Sequence, residues 1–288
     1  MQASLRPLLL VAALACAGPA SAQQQAPAPG PAAPSPATSP SPSPAPATPE
    51  PSGPPKVEQD CPTCPKLVVL PNGLGFGQYP VTKGEYAAYA KEAKIKTQPG
   101  CYRNKGTSWF KDEKASWRDP GFPQTDAHPV VCVSWEDATA YAEWLSRKTK
   151  KTYRLATKEE HLEAAAPAGE FWWGASADEL CANANVGDAA YVKATKDPRP
   201  APACNDGFAY TSPVGSFRPN RNGIYDLNGN VWQWTNSCMK GDCTNAVFRG
   251  GGFNDTDVST FKIESSWGDR IVVRSFALGF RIVRETAN

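Results

Sequence analysis

Net charge and histidine are both scarce in this sequence. The 30 basic residues are nearly balanced by 28 acidic ones, so the chain lacks the strongly basic surface that nucleic-acid binders use. It has two histidines, His128 and His161. We expect structural roles for both, because a two-histidine, one-carboxylate iron site would need the pair and nothing else in the sequence supports it. No Ser-His-Asp order and no phosphate-binding glycine loop stands out.

Long apolar runs are equally scarce. The run "LLLVAALAC" near the N-terminus is about half as long as a membrane span, and "ASA" after it fits a cleavage site. This pattern predicts a signal peptide over residues 1–22 and an exported protein, periplasmic or envelope-associated. A rival interpretation makes Cys16 a lipid anchor. No transmembrane segment is expected in the mature chain.

Proline is abundant, and it is concentrated in one segment. Residues 23–57 consist mostly of proline, alanine and serine and carry almost no charge. Such a segment cannot bury a core, so we predict a disordered, polyproline-like linker. The remaining residues, 58–288, suffice for one folded domain.

Apart from Cys16, the chain has an even number of cysteines. Export permits disulfides, and an even count suits full pairing. The motif "CPTC" could also be a zinc or redox motif, but it lacks a second CxxC or a nearby histidine pair. We therefore favour structural disulfides. The cysteines are Cys61, Cys64, Cys101, Cys132, Cys181, Cys204, Cys238 and Cys243.

Helix starts are visible only in the first part of the domain. Thr82, Ser134 and Thr157 each precede a segment with helical spacing of apolar residues and acidic residues in its first turn, as N-cap residues do. After about residue 170, glycine, asparagine and proline interrupt short apolar runs, which predicts short strands joined by long ordered loops. The expected fold class is α+β with little regular secondary structure.

Several sequence blocks occur in an order that resembles a known family. They include "YPVTKGEYAAY", "CNDGFAYTSPVGSF", "NGIYDLNGNVWQWT", "FRGGGF" and "LGFR". The order is similar to that of the sulfatase-modifying-factor, or formylglycine-generating-enzyme-like, domain, and the resemblance covers about residues 61–284. It implies a variant of the C-type-lectin-like fold.

The resemblance also implies two calcium sites, because such asparagine-rich and glycine-rich turns hold calcium in the family. Calcium is bound by oxygen atoms of carboxylates, amides and backbone carbonyls. The alternative, that these residues merely form Asx-turns, stays open. The first set comprises Asn185, Val186, Asp206 and Phe208. The second set comprises Asn228, Gly229, Val231 and Gln233, the last of which replaces the family's glutamate.

The family's copper site, in contrast, is not expected here. The resemblance implies two Cu(I)-binding cysteines shortly after "RGG", where this chain has Asp255 and Thr260, and Gly252 replaces a serine. A carboxylate and a hydroxyl are hard ligands that do not suit Cu(I). The family's substrate groove lies beside this segment, where Phe253, Trp267 and Arg270 would line it.

The disulfide pairing is a choice among 105 connectivities. Cys238 and Cys243 flank a short loop, Cys181 and Cys204 bracket the first calcium set, and Cys101 and Cys132 would close the loop between the first two helices. Cys61 and Cys64 remain as the fourth pair.

Two functions follow as expectations. The first is a calcium-stabilised binding or accessory module of the cell envelope, whose partner is a peptide, a glycan or a small molecule. The alternative is an O₂-dependent oxidoreductase of the formylglycine-generating or siderophore-maturation type. Nucleic acid is not an expected partner.

Overall fold

A computed structural model describes residues 53–286. Its helices are α1 (Lys83–Glu92), α2 (Trp135–Thr149), α3 (Lys158–Ala165), α4 (Leu180–Asn183) and α5 (Ala189–Thr195). Its strands are β1 (Val57–Glu58), β2 (Leu67–Val69), β3 (Gly75–Gly77), β4 (Cys101–Lys105), β5 (Ser108–Asp112), β6 (Tyr153–Leu155), β7 (Trp232–Met239), β8 (Asp242–Arg249), β9 (Ser266–Arg270), β10 (Leu278–Phe280) and β11 (Ile282–Arg284). Single 3₁₀ turns lie at Ala177–Glu179 and Val258–Phe261.

The three predicted helix starts are confirmed. Thr82, Ser134 and Thr157 are the N-caps of α1, α2 and α3, and each side chain accepts a hydrogen bond from the backbone N–H three residues on. The acidic residue at that third position bonds back to the N-cap N–H in all three helices. Each capping box satisfies backbone donors that the helix itself leaves unpaired.

The strands form two sheets and a separate hairpin. The larger sheet has the order β1-β2-β3-β11-β6, and the second has the order β10-β7-β8-β9. In the second sheet, β10 runs parallel to β7, and β8 is antiparallel to both of its neighbours. Strands β4 and β5 form the hairpin, and Tyr102 of β4 also makes an isolated parallel bridge to Ser275, before β10. The short strands and long connections match the α+β expectation.

The main core lies between helices α1 and α2 and the β10-β7 pair. Tyr86, Tyr89 and Tyr141 from the helices pack edge-on or stacked against one another, and Phe280 of β10 contacts two of them. Trp234 of β7 is 1% exposed. Full burial of one such side chain contributes about 1.5–3 kcal/mol, so this aromatic cluster fixes the second sheet against the helices.

Four disulfides hold the loops. They join Cys61 to Cys64, Cys101 to Cys132, Cys181 to Cys204 and Cys238 to Cys243, the same pairs that the sequence analysis chose. The Cys101–Cys132 bridge fastens the start of the β4–β5 hairpin to the segment before α2. That attachment positions the hairpin over the second sheet.

The N-terminal expectations concern mostly residues outside the described range. The predicted signal peptide, Cys16 and the linker as far as residue 52 lie outside it. The end of the predicted linker is part of the structure, because Val57 pairs with Val68 in β1 and β2. No helix within residues 53–286 is long and apolar enough to cross a membrane.

Candidate binding pocket and metal loops

A cavity of about 590 Å³ opens beside the four-stranded sheet. The β4–β5 hairpin, strands β7 to β9, the segment after β8 and the segment before β10 all contribute to it. Its lining residues are Tyr102, Trp109, Arg199, Trp232, Phe248, Asn254, Asp255, Thr260, Trp267, Asp269, Arg270, Val273, Ser275, Ala277 and Leu278. Asp255, Thr260, Trp267 and Arg270, which the sequence placed in or beside the active-site groove, therefore share one pocket.

Two carboxylates line this pocket, and Asp255 is the less exposed of them, Asp269 being the other. Its Oδ2 accepts hydrogen bonds from Trp232 Nε1 at 2.7 Å and from the Gly252 N–H at 2.8 Å. Its Oδ1 accepts no hydrogen bond from any residue of the described range. Burial raises the pKa of Asp255 to about 6, although the two donors and the charge of Arg199 act in the opposite direction. Asp255 therefore combines a fixed orientation with one free oxygen.

Asn254 adds a second oxygen without a partner. The residue is 3% exposed, and its Oδ1 is fully buried with no hydrogen-bond donor among the described residues. Arg199 anchors the backbone at this point, because its guanidinium donates to the Asn254 carbonyl at 2.8 Å and forms an ion pair with Asp197 at 2.7 Å. Leaving a buried acceptor unpaired costs about 1–3 kcal/mol, so a ligand that supplies a donor would offset that cost.

Gly252 gives access to this oxygen. A Cβ at this position would lie 3.1 Å from Asn254 Oδ1 and 3.1 Å from Trp232 Cδ1, which is closer than nearly all real contacts. Glycine therefore leaves room that the family's serine would fill.

Aromatic rings form the walls. Trp109 and Trp267 are 56% and 61% exposed, which is unusual for such large apolar side chains. Trp232 packs edge-on against Phe248 with ring centroids 5.2 Å apart. Trp109 packs against Phe276 in the same manner at 6.1 Å. The pocket therefore offers apolar ring surface around a polar floor.

One expected groove residue is not in the pocket. Phe253 is 0% exposed and packs among Phe122, Tyr191, Tyr210 and Phe276. The expectation that Phe253 lines the groove is therefore wrong. Its ring is a core anchor that turns the neighbouring Asn254 and Asp255 toward the pocket.

The first calcium set lies on two loops that meet. Asp206 accepts hydrogen bonds from the N–H groups of Val186 and Phe208 at 2.7 and 2.8 Å, one on each carboxylate oxygen. Asn185 is completely buried, and its Oδ1 has no partner among the described residues. Because a carboxylate has about four lone-pair positions, Asp206 keeps oxygen capacity for a cation.

A second carboxylate lies close to this set. Asp188 and Asp206 belong to a group with Cys181 in which the potential ligand atoms lie within 4.8 Å of one another. Cys181 is bound in the disulfide to Cys204, so its sulfur is not a thiolate ligand. Burial, together with the nearby Asp188 charge, raises the pKa of Asp206 to about 7. Two close carboxylates and an unpaired amide oxygen fit the ligand preference of calcium.

The second calcium set fits only in part. Asn228 is 5% exposed, and its Oδ1 also has no partner in the described range. Gly229 lies against the first set, because a Cβ there would be 2.6 Å from the Asn185 carbonyl oxygen. The Val231 carbonyl accepts a hydrogen bond from Gln233 Nε2 at 3.4 Å. The two sets are therefore neighbours.

Gln233 is bound to an arginine. Its Oε1 accepts a hydrogen bond from Arg281 Nε at 2.9 Å, and its Nε2 donates to the Asp226 carbonyl at 2.8 Å. Arg281 is 1% exposed, and burial lowers its pKa to about 9. A guanidinium at this oxygen repels a divalent cation, so Gln233 does not fit as a calcium ligand.

The two histidines have the structural roles expected of them. His161 lies on α3, 4% exposed, with its ring edge-on to Phe76 and its Nε2 3.4 Å from Gln233 Oε1. His128 Nδ1 lies 2.9 Å from Thr211 Oγ1. Within residues 53–286 neither ring belongs to a group of three potential metal ligands.

Copper does not fit the pocket. All eight cysteines of the described range are in disulfides, and Asp255 and Thr260 supply only oxygen atoms. Cu(I) selects soft sulfur ligands. The pocket therefore offers two carboxylates, an amide, two guanidinium groups and aromatic rings.

The fold defines a protein of the formylglycine-generating-enzyme type, a variant of the C-type lectin fold. The structure of PvdO from Pseudomonas aeruginosa superimposes with a TM-score of 0.65 and 25% sequence identity, covering 81% of this chain and 99% of PvdO. The structure of CarF matches with a TM-score of 0.52 and 23% identity, covering 74% of this chain and 87% of CarF. The α+β prediction is thereby confirmed.

The sequence comparison then identifies the family. Residues 51–286 match the sulfatase-modifying factor enzyme 1-like domain, and the chain belongs to that family. It is 33% identical over 211 residues to inactive C-alpha-formylglycine-generating enzyme 2 of Bos taurus, covering 62% of this chain and 64% of that protein. It is 35% identical over 139 residues to formylglycine-generating enzyme of Streptomyces coelicolor, covering 44% and 39%. The chain spans less than two thirds of both relatives.

Several residues that line the pocket were not expected from the sequence. Tyr102 and Trp109 come from a hairpin well over a hundred residues earlier in the chain, and Arg199 comes from the segment after α5. The only local signal was Cys101, whose disulfide fixes the hairpin that carries Tyr102. Trp232 belongs to "GNVWQW", which the analysis assigned to calcium rather than to the pocket.

Proposed function

We propose that this domain binds a ligand in the pocket around Asp255 and does not form formylglycine with copper. The observation that carries this proposal is the substitution of the pocket floor, where Asp255 and Thr260 stand in place of two thiolates. The remaining pocket is of the size of ordinary ligand sites and combines apolar walls with a few polar groups. A binding or accessory role in the cell envelope follows, with a peptide, a glycan or a small molecule as the partner.

Calcium at the first set is part of the proposal. The loops of Asn185 and Asp206 lie next to the segment that carries the pocket, because the Gly187 N–H donates to the Asp255 carbonyl at 2.8 Å. Calcium bound there would stabilise the loop that positions Asp255. We propose one calcium ion per chain, because the second set lacks a suitable oxygen at Gln233.

The binding proposal is tested with a fragment library of mixed charge, screened by protein-observed NMR on the full mature chain. The matched variants are Trp267→Ala, which removes a pocket wall, and Phe110→Ala, which removes an exposed ring of β5 outside the pocket lining. We expect fragments that bind the wild-type protein and the Phe110 variant but not the Trp267 variant. The proposal would be contradicted if no fragment binds, or if fragments bind the Trp267→Ala variant as well as they bind the wild-type protein.

An O₂-dependent reaction is the second candidate function. The carboxylate atom Oδ1 of Asp255, which accepts no hydrogen bond in the described range, favours it. A carboxyl group with a pKa near 6 can accept a proton close to neutral pH, as a general base must. Once a pocket ligand is known, oxygen consumption in its presence tests this candidate. Uptake of oxygen that Asp255→Asn abolishes would favour catalysis, whereas binding without uptake would favour the accessory role.

The proposed location is the envelope or the space outside the cell. Four disulfides in the described part suit an oxidising compartment. Intact-mass analysis of the chain recovered from the expressing cell tests the processing. A mature start at Gln23 would favour signal-peptide cleavage, a lipid on Cys16 would favour anchoring, and an unprocessed chain would contradict export.

A further inference from the structure

We propose that the pocket takes a ligand bearing a primary ammonium group on an apolar or aromatic body, with the ammonium between Asn254 Oδ1 and Asp255 Oδ1. This inference rests on the proposed binding function and names the chemistry of its ligand. The two oxygens lie on adjacent residues of one pocket floor. Both lack a donor among residues 53–286.

The pocket floor presents hydrogen-bond acceptors, so it favours a ligand that carries hydrogen-bond donors. Asn254 Oδ1 is buried and unpartnered, and Asp255 uses only Oδ2 to accept bonds from Trp232 and Gly252. An ammonium group has three donors and no acceptor, so one group can satisfy both oxygens. A ligand carboxylate or phosphate would instead place its own negative charge against Asp255.

The aromatic walls can contact both the ammonium group of the ligand and its apolar body. The rings of Tyr102, Trp109, Trp232, Phe248 and Trp267 line the cavity. Aromatic faces attract ammonium groups, most strongly when several rings surround a desolvated site. The exposed faces of Trp109 and Trp267 also provide surface on which an apolar or planar ligand body can pack.

The two arginines of the pocket do not oppose this arrangement. Arg199 is paired with Asp197 at 2.7 Å, so its charge is balanced next to the floor. Arg270 is exposed at the rim beside Asp269, whose Oδ1 accepts a hydrogen bond from the Arg270 backbone N–H. The rim therefore carries one charge of each sign, and the floor carries the negative charge of Asp255.

The inference is tested by calorimetry with three probes of one shape, namely phenethylamine, 2-phenylethanol and 3-phenylpropionate. Wild-type protein should bind phenethylamine at least about tenfold more tightly than either other probe. Nα-acetyl-lysine methylamide, as a fourth probe, separates two sources of the ammonium group. Its binding would extend the site to lysine side chains of peptides, and its failure to bind would restrict the site to small amines.

Two pocket variants and one control complete the test. Asp255→Asn keeps an oxygen for Trp232 and Gly252 but removes the charge, and should weaken phenethylamine binding about tenfold while leaving 2-phenylethanol unchanged. Asn254→Leu should also weaken it. Asp126→Asn, at an exposed carboxylate outside the pocket, should have no effect.

The failure of this inference is distinguishable from the failure of the binding proposal. Equal affinity for all three probes, no phenethylamine binding, or binding that survives Asp255→Asn would overturn the ammonium assignment. Neutral or anionic fragments that still bind in a Trp267-dependent manner would leave the binding proposal standing. A pocket that binds no fragment of any charge would overturn both.

Discussion

Burial of His161 should make a contribution to the stability of this domain that is lost as the pH is lowered from 7 to 5. Its imidazole is surrounded by apolar groups and by the positive charges of Arg249 and Arg281, and burial, followed by these charges, lowers its pKa from 6.5 to about 3. In the unfolded chain the same group titrates with its ordinary pKa. The folded state therefore stays neutral at pH 5, whereas the unfolded state gains a proton.

The magnitude follows from proton linkage. Because the unfolded state binds more protons, the free energy of unfolding falls as the pH drops below 6.5, by up to about 1.4 kcal/mol per pH unit. Between pH 7 and pH 5 the loss due to His161 amounts to about 2 kcal/mol. This figure hardly depends on the folded pKa, because any value below about 4 leaves the folded imidazole neutral at pH 5.

The assay is urea unfolding of wild-type protein and His161→Leu at pH 7 and pH 5, with disulfides intact and calcium held constant. Asp206 and Asp255, whose raised pKa values have the opposite effect on stability, are present in both proteins and cancel in the difference. We expect the wild-type protein to lose about 2 kcal/mol more than the variant. His128→Gln, which changes the half-buried second histidine, should retain most of the loss. Parallel losses in wild-type protein and His161→Leu would refute the reasoning.

Three further predictions concern the loops around the pocket. Replacing Cys181 and Cys204 together by serine should lower the free energy of unfolding by about 3 kcal/mol, because their disulfide spans 23 residues of chain; an unchanged urea midpoint would contradict a bridged folded state. Asn254→Leu should keep or raise the melting temperature, because it removes a buried acceptor without a partner; a fall of several degrees would show that Asn254 has a structural role. Asn185→Leu should abolish the rise in melting temperature that calcium gives the wild-type protein, and a retained calcium shift would place the ion elsewhere.

The fold could be predicted where short-range chemistry determines it. The helix starts at Thr82, Ser134 and Thr157 depend on a side chain and a backbone N–H three residues apart, and such signals are local. The order of the sequence blocks around "GNVWQW" and "RGGGF", through its resemblance to the family, predicted the fold. The disulfide pairs were a choice among many connectivities, made from the position of each pair relative to a loop, to the first two helices and to the first calcium set, and the structure contains the same four pairs.

The pocket could be predicted only in part. The positions of Asp255, Thr260, Trp267 and Arg270 follow from the segment after "RGG". The hairpin that carries Trp109 is brought to the pocket by tertiary packing, and no local pattern of that hairpin indicates this.

Two residues show how packing decides between equivalent sequence interpretations. Phe253 was expected in the groove because it belongs to the segment after "RGG", beside which the family's substrate groove lies, but the surrounding rings bury it completely. Gln233 was expected to bind calcium because an amide oxygen can, yet Arg281, 48 residues away in sequence, occupies that oxygen. In both cases the deciding neighbour is distant in sequence, so the local pattern left the outcome open.

The most direct test of the account is the metal content of the full mature chain, purified without chelator from an oxidising compartment and measured by elemental mass spectrometry. We expect about one calcium ion per chain, held by the loops of Asn185 and Asp206, and no copper, because Asp255 and Thr260 replace the thiolates. Stoichiometric copper or iron would contradict the binding function and favour an oxidase. A protein free of every metal would contradict the calcium proposal.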